Sequence, residues 1–326
     1  MSGESLPVPT RSRMAGELPG TPLAGLILVL FQPRPSDLER WMESAAELSL
    51  GVAVDNSETV DLRLHARLRR AGFEVLVNHN RGGLAGAYNR GAEWLLARGC
   101  ELIFLFDQDS RLRPGFFERM LAAGAELAGQ PFILGPVIYE RRLQRYMPVL
   151  DPAPGWPRPI PMDGRGEGLV PSLGVISSGS AISMAAWRRL GGFREDYFIE
   201  FLDIEYALRA WHQGVPVYTQ TAAVLEQQAG EIVRHGRHYS TRHPAWRRYY
   251  MARNAMHALR LYPERRSLLF GGLCLLLYQA CGILRFETAR RHKLAAMLIG
   301  LLDGLRGRMG RLEDLHAKRW RGWHAV

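Results

Sequence analysis

Short apolar runs alternate with amphipathic segments in the first third of this chain, and this alternation constrains its fold more than any other feature. Apolar runs of four to eight residues that end at turn residues are typical of strands buried on both faces. Repeated strand–helix units with short connections indicate a parallel α/β sheet of the Rossmann-like type, covered by helices. The sequence predicts strands over 26–31, 51–54, 73–77 and 102–106, and helices after Ser36 and over 62–70 and 84–98.

Polar residues follow three of these predicted strands. They are Asp55-Asn56-Ser57, a glycine-rich segment over 80–91, and Asp107-Gln108-Asp109. In parallel sheets, ligands bind beyond the carboxyl ends of the strands. The sequence therefore predicts one ligand site assembled from three loops.

Two carboxylates one residue apart, Asp107 and Asp109, stand directly after an apolar strand. Oxygen ligands of this kind hold hard divalent cations such as Mg²⁺ or Mn²⁺, and a bound diphosphate can complete the coordination sphere. The same pair can instead cap the next helix, for which Pro114 suggests a start nearby. This motif alone leaves both readings open.

The other two loops also have alternative readings. Asp55 and Asn56 can hydrogen-bond a base or ribose, or can simply form a turn. The segment from Asn80 through Gly82 leads into a helix, where glycines let the backbone approach a ligand and the helix N-terminus favours phosphate. Its spacing is not the dinucleotide-binding glycine fingerprint.

A later segment, 197–209, places acids in apolar surroundings. Asp203 stands between Leu202 and Ile204, and such surroundings favour the protonated form of a carboxyl group. This suits a general base that takes a proton from a sugar hydroxyl, with Glu200 and Glu205 as the other candidates. The alternative is a helix that carries acids in its first turn.

The charge and the C-terminal third point to an anionic partner. Lys and Arg outnumber Asp and Glu by 42 to 32, so the net charge is +10, which suits nucleic acid, anionic lipid or a diphosphate substrate. The apolar run 268–284 lies at the lower edge of the length needed to span a membrane. Since a basic tail containing Trp320 and Trp323 follows, the pattern predicts a helix in the membrane interface, or else an amphipathic appendage packed on the core.

Three other regions carry weaker predictions. Residues 1–21 read as a mobile tail, and the proline-rich stretch 140–172 as a long loop that acts as a lid or binding loop, or as a disordered insertion. The three cysteines form no disulfide framework and match no zinc spacing. No helix-turn-helix, zinc-finger or RNA-stacking signature is present, so nucleic acid is not expected as a partner.

Taken in order, these motifs resemble those of inverting glycosyltransferases of the large family 2 class, which have the GT-A fold. Asp-Gln-Asp-Ser at 107–110 and Arg-Tyr-Tyr-x-x-Arg-Asn at 248–254 are similar to rhamnosyltransferases, particularly those that add a second rhamnose to mono-rhamnolipid. The resemblance covers roughly residues 24–310. It implies a GT-A domain over 22–260 and a helical, basic, membrane-associating region over 261–326.

The resemblance also implies roles for matching residues. Asp203 matches the catalytic base, and the 248–254 motif could bind phosphate or order the closed site. Two departures stand out: Leu202 occupies a position that often holds glutamate, and Gln227 one that often holds a metal-binding histidine. The implied metal ligands for Mg²⁺ or Mn²⁺ are Asp107, Asp109 and Gln227. The implied nucleotide-sugar-binding residues are Asp55, Asn56, Asn80, Gly82, Asn89, Asp107, Arg248, Arg253 and Asn254.

The function implied is transfer of L-rhamnose from dTDP-L-rhamnose to mono-rhamnolipid, giving di-rhamnolipid with inversion at the anomeric carbon. The expected location is the cytoplasmic face of the bacterial inner membrane. One alternative acceptor is a polyprenyl-diphosphate-linked O-antigen or other cell-surface polysaccharide. A second alternative is an inactive, basic, membrane-binding homologue.

Overall fold

A computed structural model describes residues 23–44, 47–153, 155–164, 166–228, 233–235 and 238–324. The tail predicted over 1–21 lies outside these residues. The strands are β1 (Ala24–Leu30), β2 (Leu50–Asp55), β3 (Phe73–Val77), β4 (Leu102–Asp107), β5 (Arg111–Leu112), β6 (Ile133–Glu140), β7 (Arg145–Tyr146), β8 (Val149–Leu150), β9 (Pro159–Ile160), β10 (Leu169–Pro171), β11 (Ala181–Ser183), β12 (Val217–Gln227), β13 (Val233–His235) and β14 (His238–Ser240). The helices are α1 (Pro35–Ser44), α2 (Leu62–Arg70), α3 (Gly83–Leu96), α4 (Phe116–Glu126), α5 (Met184–Leu190), α6 (Leu202–His212), α7 (Ala245–Leu261), α8 (Arg266–Phe286), α9 (Arg290–Arg306), α10 (Leu312–Leu315) and α11 (Ala317–His324).

The central sheet has the strand order β10-β12-β6-β11-β4-β1-β2-β3, with β5 and β7 paired at its side. Strands β3, β2, β1 and β4 run parallel, as the sequence predicts. The short strand β11 pairs antiparallel with both β4 and β6, and β12 runs parallel to β6. The predicted class, a mostly parallel α/β sheet covered by helices, is confirmed.

The centre of the sheet is buried on both faces because β1 and residues 102–106 of β4 are apolar at every position. In β1, Leu26 and Leu28 pack on the side of α1, α2 and α4, whereas Ile27 and Val29 pack on the side of α3, α5 and α6. Alternate residues of a strand point to opposite faces, so a continuous apolar run fills two cores. This arrangement fixes where the strand ends, and therefore the loops after them, must lie.

Local sequence explains several helix boundaries. Asp61 caps α2, since its carboxylate accepts hydrogen bonds from the backbone N–H groups of Arg63 at 2.9 Å and Leu64 at 3.2 Å. Helix α3 begins at Gly83, after Gly82 in a left-handed conformation with φ of 65°. The predicted strand 73–77 and helix 62–70 match the observed bounds.

The stretch predicted as a long loop, 140–172, contains the short strands β7 to β10 and contacts the C-terminal helices. Arg265 donates a hydrogen bond to the carbonyl oxygen of Pro152 at 2.8 Å, and Trp156 packs edge-on against Phe270 with ring centroids 6.5 Å apart. The described part of this stretch is therefore docked on the start of α8.

The C-terminal helices form a second packing unit around α7. Gly300 and Gly304 of α9 allow a close approach to α7. A Cβ at Gly300 would overlap the carbonyl oxygen of Tyr249, and a Cβ at Gly304 would overlap that of Arg253. A buried ionic cluster then joins this pair to α8: Glu287 accepts from Arg248 at 3.1 Å and from Lys293 at 2.7 Å. Packing thus groups α7 with the region predicted over 261–326.

Helix α8 lies within the one described segment, 263–286, that is long and apolar enough to cross a membrane by length and composition. Only 22% of its most apolar window is buried in the protein. A helix of this composition in a protein core would be largely covered by other residues. Helix α8 differs from such a core helix, because it leaves apolar side chains exposed.

Candidate active site

A cleft of about 710 Å³ opens at the carboxyl ends of β1, β2 and β4, within the size range of ligand sites. It brings together six of the residues that the sequence singles out: Asn56, Asn80, Asp107, Asp109, Asp203 and Gln227. Loops that follow separate strands therefore meet at one cleft. The remaining six predicted site residues do not line this cleft: Asp55, Gly82, Asn89, Arg248, Arg253 and Asn254.

Asn56 lines the cleft and directly follows β2. Its amide donates to the carbonyl oxygen of Gly83 at 2.9 Å, and its oxygen accepts from Asn78 at 2.7 Å. Asn56 thereby ties the end of β2 to the segment in which Asn80 takes a left-handed φ of 54°. These contacts hold two cleft-lining loops in a fixed relation.

The glycines of the 80–91 segment allow another segment of the same chain to pack closely against it. A Cβ on Gly82 would lie 2.6 Å from a carboxylate oxygen of Glu195, and one on Gly83 would overlap the carbonyl oxygen of Phe198. The Leu84 backbone N–H donates to that same carbonyl at 2.9 Å. Gly82 is predicted to line the nucleotide pocket, but in the structure it does not line the cleft. The absence of a side chain at Gly82 instead lets the 195–198 segment pack against α3.

Asp55 lies beneath the cleft. One carboxylate oxygen accepts from the Ser57 backbone N–H at 2.8 Å, and the other is 2.7 Å from Nε2 of His65. Both side chains of this hydrogen-bonded pair are 2% exposed. Asp55 therefore shapes the loop that carries Asn56 and Ser57, and its oxygens are occupied by protein groups instead of facing the cleft.

Asn89 joins α3 to a distant segment. Its amide donates to the carbonyl oxygen of Phe193 at 2.9 Å and to Glu195 at 3.0 Å, and its oxygen accepts from the Phe193 backbone N–H at 2.8 Å. This geometry holds the 193–195 segment in place. It differs from the predicted contact with the nucleotide.

Asp107 and Asp109 lie in the centre of the cleft. The Asp107 carboxylate accepts a hydrogen bond from the Tyr88 hydroxyl at 2.8 Å. The Gln108 side chain accepts a hydrogen bond from the Phe31 backbone N–H and donates one to the Phe31 carbonyl oxygen, at the end of the neighbouring strand β1. Burial, with smaller contributions from the nearby charges of Asp109 and Asp203, raises the pKa of Asp107 to about 6. A cation bound here would relieve this concentration of negative charge.

The donor set suits a hard cation. Gln227, at the end of β12, lines the cleft with both aspartates, and together they offer only oxygen ligands, as Mg²⁺ and Mn²⁺ prefer. No group of three His, Cys, Asp or Glu side chains that could hold a metal occurs within the described ranges. His235, a histidine that follows Gln227 in the sequence, stacks on Phe286 with ring centroids 4.3 Å apart, and it does not line the cleft. The residues therefore fit a cation that takes further ligands from a bound substrate.

Asp203 lies in the first turn of α6 and faces the cleft. Burial, with a smaller contribution from the negative charge of Glu200, raises the pKa of its carboxyl group to about 6. The two other acids of the segment have basic partners: Glu200 is ion-paired with Arg247, and the buried Glu205 with Arg209. Of the three, Asp203 has the surroundings that a general base working near neutral pH requires.

The loop before α6 has an unusual backbone. Phe198, Glu200 and Phe201 adopt positive φ angles of 66°, 62° and 65°. Non-glycine residues rarely occupy this region, and each costs about 1–3 kcal/mol unless surrounding contacts impose it. Such strain next to a cleft is typical of a loop held in place for function.

Two residues of α7 supply those contacts. The Asn254 amide donates to the carbonyl oxygens of Tyr197 at 3.1 Å, Ile199 at 2.9 Å and Glu200 at 2.8 Å. Arg253 donates to the carbonyls of Asp196 at 2.9 Å and Tyr197 at 3.1 Å. Both side chains are fully buried, so they order the cleft wall from behind, one of the two roles implied for the 248–254 motif.

Arg248, the first residue of that motif, points elsewhere. It is 1% exposed and donates to Gln279 at 2.7 Å, Thr241 at 3.2 Å and Glu287 at 3.1 Å. These contacts place the guanidinium between α7 and α8. A direct contact with a donor phosphate is not compatible with this position.

The sequence reasoning missed two cleft residues in α7, Trp246 and Arg247. Both directly precede Arg248. Successive helical residues point about 100° apart, so the neighbours of a buried arginine can face a cleft. A search for helix faces opposite the buried side chains would have found them.

Known proteins are similar to this chain in sequence and in fold. No protein-family model matches the chain. A dTDP-rhamnosyl transferase, RfbF, of Shigella flexneri is 27% identical over 292 residues, which cover 87% of this chain and 96% of that protein.

Two solved structures share the fold. The crystal structure of GalNAc-T7 with UDP, GalNAc and Mn²⁺ has a TM-score of 0.55 at 10% identity, and the match covers 94% of this chain and 58% of that one. The Staphylococcus aureus TarS 1–349 structure in complex with UDP-GlcNAc has a TM-score of 0.53 at 14% identity, covering 87% of this chain and 82% of that one. At these identities, the structures show the fold alone.

The fold, the cleft and the sequence relative together define the chain as a glycosyltransferase with a GT-A fold. The predicted enzyme class is confirmed at this level.

Proposed function

We propose that this glycosyltransferase transfers L-rhamnose from dTDP-L-rhamnose to a hydroxyl group of a lipid-linked acceptor, with inversion at the anomeric carbon. The observation that carries the proposal is one cleft that holds the Asp107–Asp109 pair and Asp203, with the pKa of Asp203 raised to about 6. This arrangement supports metal–diphosphate binding beside a general base. The relative named a dTDP-rhamnosyl transferase supports the donor.

The reaction is a single displacement. Asp203 accepts the proton of the acceptor hydroxyl as its oxygen attacks the anomeric carbon. The bond from that carbon to the diphosphate oxygen breaks, and dTDP leaves with the electron pair. Because attack and departure occur on opposite sides, the configuration inverts. Holding the two substrates in line supplies much of the rate enhancement.

Asp107, Asp109 and Gln227 would hold Mg²⁺ or Mn²⁺, which when bound neutralises charge on the departing diphosphate. The protein itself contributes by position. Tyr88 fixes one oxygen of Asp107, and Gln108 fastens the loop to the end of β1 through the backbone of Phe31. Both contacts preorganise the carboxylates for a charged ligand.

A membrane surface is the proposed site of action, at the cytoplasmic face of the bacterial inner membrane. Helix α8 exposes Phe270 (56%), Leu277 (68%) and Leu284 (55%), which recur every seven residues and so share one face. Trp156 is 60% exposed and packs beside Phe270 on that face. An aromatic side chain next to an apolar helix face is typical of interfacial binding.

Charge favours an anionic lipid surface as the occupant of this face. Exposed arginines flank α8 at both ends, at Arg266 and Arg285, and Arg290 and Arg291 begin the next helix. Each basic residue near an anionic surface contributes roughly 1 kcal/mol. A lipid-linked acceptor would then be presented where the enzyme is bound.

Mono-rhamnolipid is the first acceptor to test, and a polyprenyl-diphosphate-linked glycan is the second. The full chain would be incubated with dTDP-L-rhamnose and each acceptor in vesicles, with Mg²⁺, Mn²⁺ or EDTA, and the products weighed by mass spectrometry. We expect a product heavier by one deoxyhexose, absent in EDTA and with Asp203→Asn. Absence of both product and metal-dependent dTDP binding would refute the proposal and favour an inactive, membrane-binding homologue.

A further inference from the structure

Trp246 stands in the first turn of α7, on the wall of the cleft, and two aromatic rings hold it there. Tyr250 packs against it with ring centroids 6.3 Å apart at 79°, and Trp320 packs against it at 6.2 Å and 65°. Such edge-on contacts fix the orientation of a ring more tightly than its burial alone would. Trp320 belongs to α11, near the end of the chain, so a C-terminal helix supports the cleft wall.

Helix α11 is itself anchored on α7. Trp323 is buried, and its ring lies 6.2 Å from that of Tyr249. The two tryptophans of α11 thus face the body of the protein together. The position of Trp246 therefore depends on a helix outside the central sheet.

The cleft has two halves with different chemistry. Phe31, Asn56 and Asn80 line the half beside the carboxyl ends of β1 to β3, where nucleotides bind in folds of this type. Trp246 packs instead in one cluster with Phe198 and Ile199, beside Glu200, and these residues form the second half of the cleft. The charge of Glu200 acts on the ionisation of Asp203, so the proposed base lies close to this second half.

Two polar groups accompany the ring. Arg247, next to Trp246 in sequence, is ion-paired with Glu200, and both line the cleft. An arginine offers several donors and a carboxylate several acceptors, so such a pair can hydrogen-bond adjacent hydroxyl groups. An aromatic face bordered by paired charged groups matches a pyranose ring, which has apolar C–H faces and a polar rim.

We propose that Trp246 is the stacking platform for the sugar that accepts the transferred residue, and that α11, through Trp320, is a positioning element of this acceptor subsite. Glu200 and Arg247 bind the hydroxyl groups of that sugar. This inference rests on the proposed glycosyl transfer and deepens it, because it assigns the acceptor a pyranose at the point of attack.

Steady-state kinetics with varied acceptor at saturating dTDP-L-rhamnose test the inference. We expect Trp246→Ala to raise the acceptor KM about ten-fold, which corresponds to the loss of one good aromatic contact. The KM for the donor should stay unchanged. Trp246→Phe should restore most of the affinity, and Trp320→Ala should raise the acceptor KM by a smaller factor with little change in kcat.

Trp94 provides a matched control, since it lies on α3, outside the cleft, with Arg98 stacked 3.6 Å over its ring. Trp94→Ala should leave the acceptor KM unchanged. A folded Trp246→Ala variant with wild-type acceptor KM, or with equal losses for donor and acceptor, would overturn the inference.

Failure of the proposed function has a different signature. If the wild-type protein transfers no rhamnose, binding of mono-rhamnolipid micelles is measured directly by saturation-transfer NMR on the sugar protons. Weaker saturation of those protons with Trp246→Ala than with Trp94→Ala would support the sugar subsite despite the absent transfer. Equal saturation with both variants would refute it.

Discussion

Replacing Asp203 by asparagine should abolish most activity and, at the same time, stabilise the protein above neutral pH. The pKa of this carboxyl group is raised from 3.8 to about 6, with burial as the main cause. The folded state therefore favours the protonated form. Stability from this group is fully present below its unfolded pKa and is lost as the pH rises through about 6.

The magnitude follows from the shift. About two pKa units correspond to ~3 kcal/mol of unfolding free energy lost by wild type at high pH, since one unit is ~1.36 kcal/mol. Asparagine cannot ionise, so the variant avoids that loss. Because about half of the loss has accumulated by pH 5, the advantage of the variant should grow by ~1.4 kcal/mol between pH 5 and pH 8.

Urea unfolding of both proteins at the two pH values measures this difference. Any constant cost of placing an amide beside the Ile204 N–H donor cancels in the comparison. Glu39→Gln, at a carboxyl group that is 62% exposed and paired with Arg67, should show no such pH-dependent gain.

Activity should change in the opposite direction. Removing a general base lowers kcat by about 10²–10⁴, and the wild-type rate should rise with pH with a midpoint near 6. An Asp203→Asn variant with near-normal turnover, or with a stability difference that does not depend on pH, would contradict the reasoning.

Other predictions concern the metal, the strained loop and the membrane. Asp109→Asn should weaken Mn²⁺-dependent binding of dTDP by at least about ten-fold in calorimetry, while metal-free binding stays low; unchanged binding would remove Asp109 from the metal site. Asn254→Asp keeps the size of the side chain but removes the donor to three loop carbonyls, so it should lower the unfolding free energy by roughly 1–3 kcal/mol and reduce kcat. A loss of stability with full kcat would show that the loop does not serve catalysis. Leu277→Glu should reduce binding to anionic vesicles by at least about ten-fold, whereas Leu62→Glu, at a leucine 72% exposed on α2, should have no effect; equal effects of the two would exclude α8 as the membrane face.

The parallel half of the sheet could be predicted because its signals are local. A strand buried on both faces must be apolar at every position, and the run at 102–106 meets that requirement. The run at 73–77 is apolar except for Glu74, which is exposed on the last strand of the sheet. The polar residues that end β2 and β4 then have to lie at one edge of the sheet. Sequence could therefore bring Asn56, Asp107 and Asp109 together before any coordinates were known.

The other half of the sheet could not be predicted from such signals. Strand β11 has only three residues, Ala181–Ser183, yet it joins β4 to β6 by antiparallel pairing on both sides. Strand β12 runs parallel to β6 with a shift in register between Gln220 and Val224. These pairings depend on contacts distant in sequence, which local patterns do not specify.

Within the site, the sequence determined which chemistry was available: paired carboxylates after a strand, an acid in apolar surroundings, and an Arg–Asn motif late in the chain. Tertiary structure alone decided where each group points. Because helical neighbours diverge by about 100°, α7 turns Trp246 and Arg247 to the cleft, and Arg253 and Asn254 to the loop behind it. Residue identity fixes what a side chain can do, but only packing against distant elements fixes what it meets.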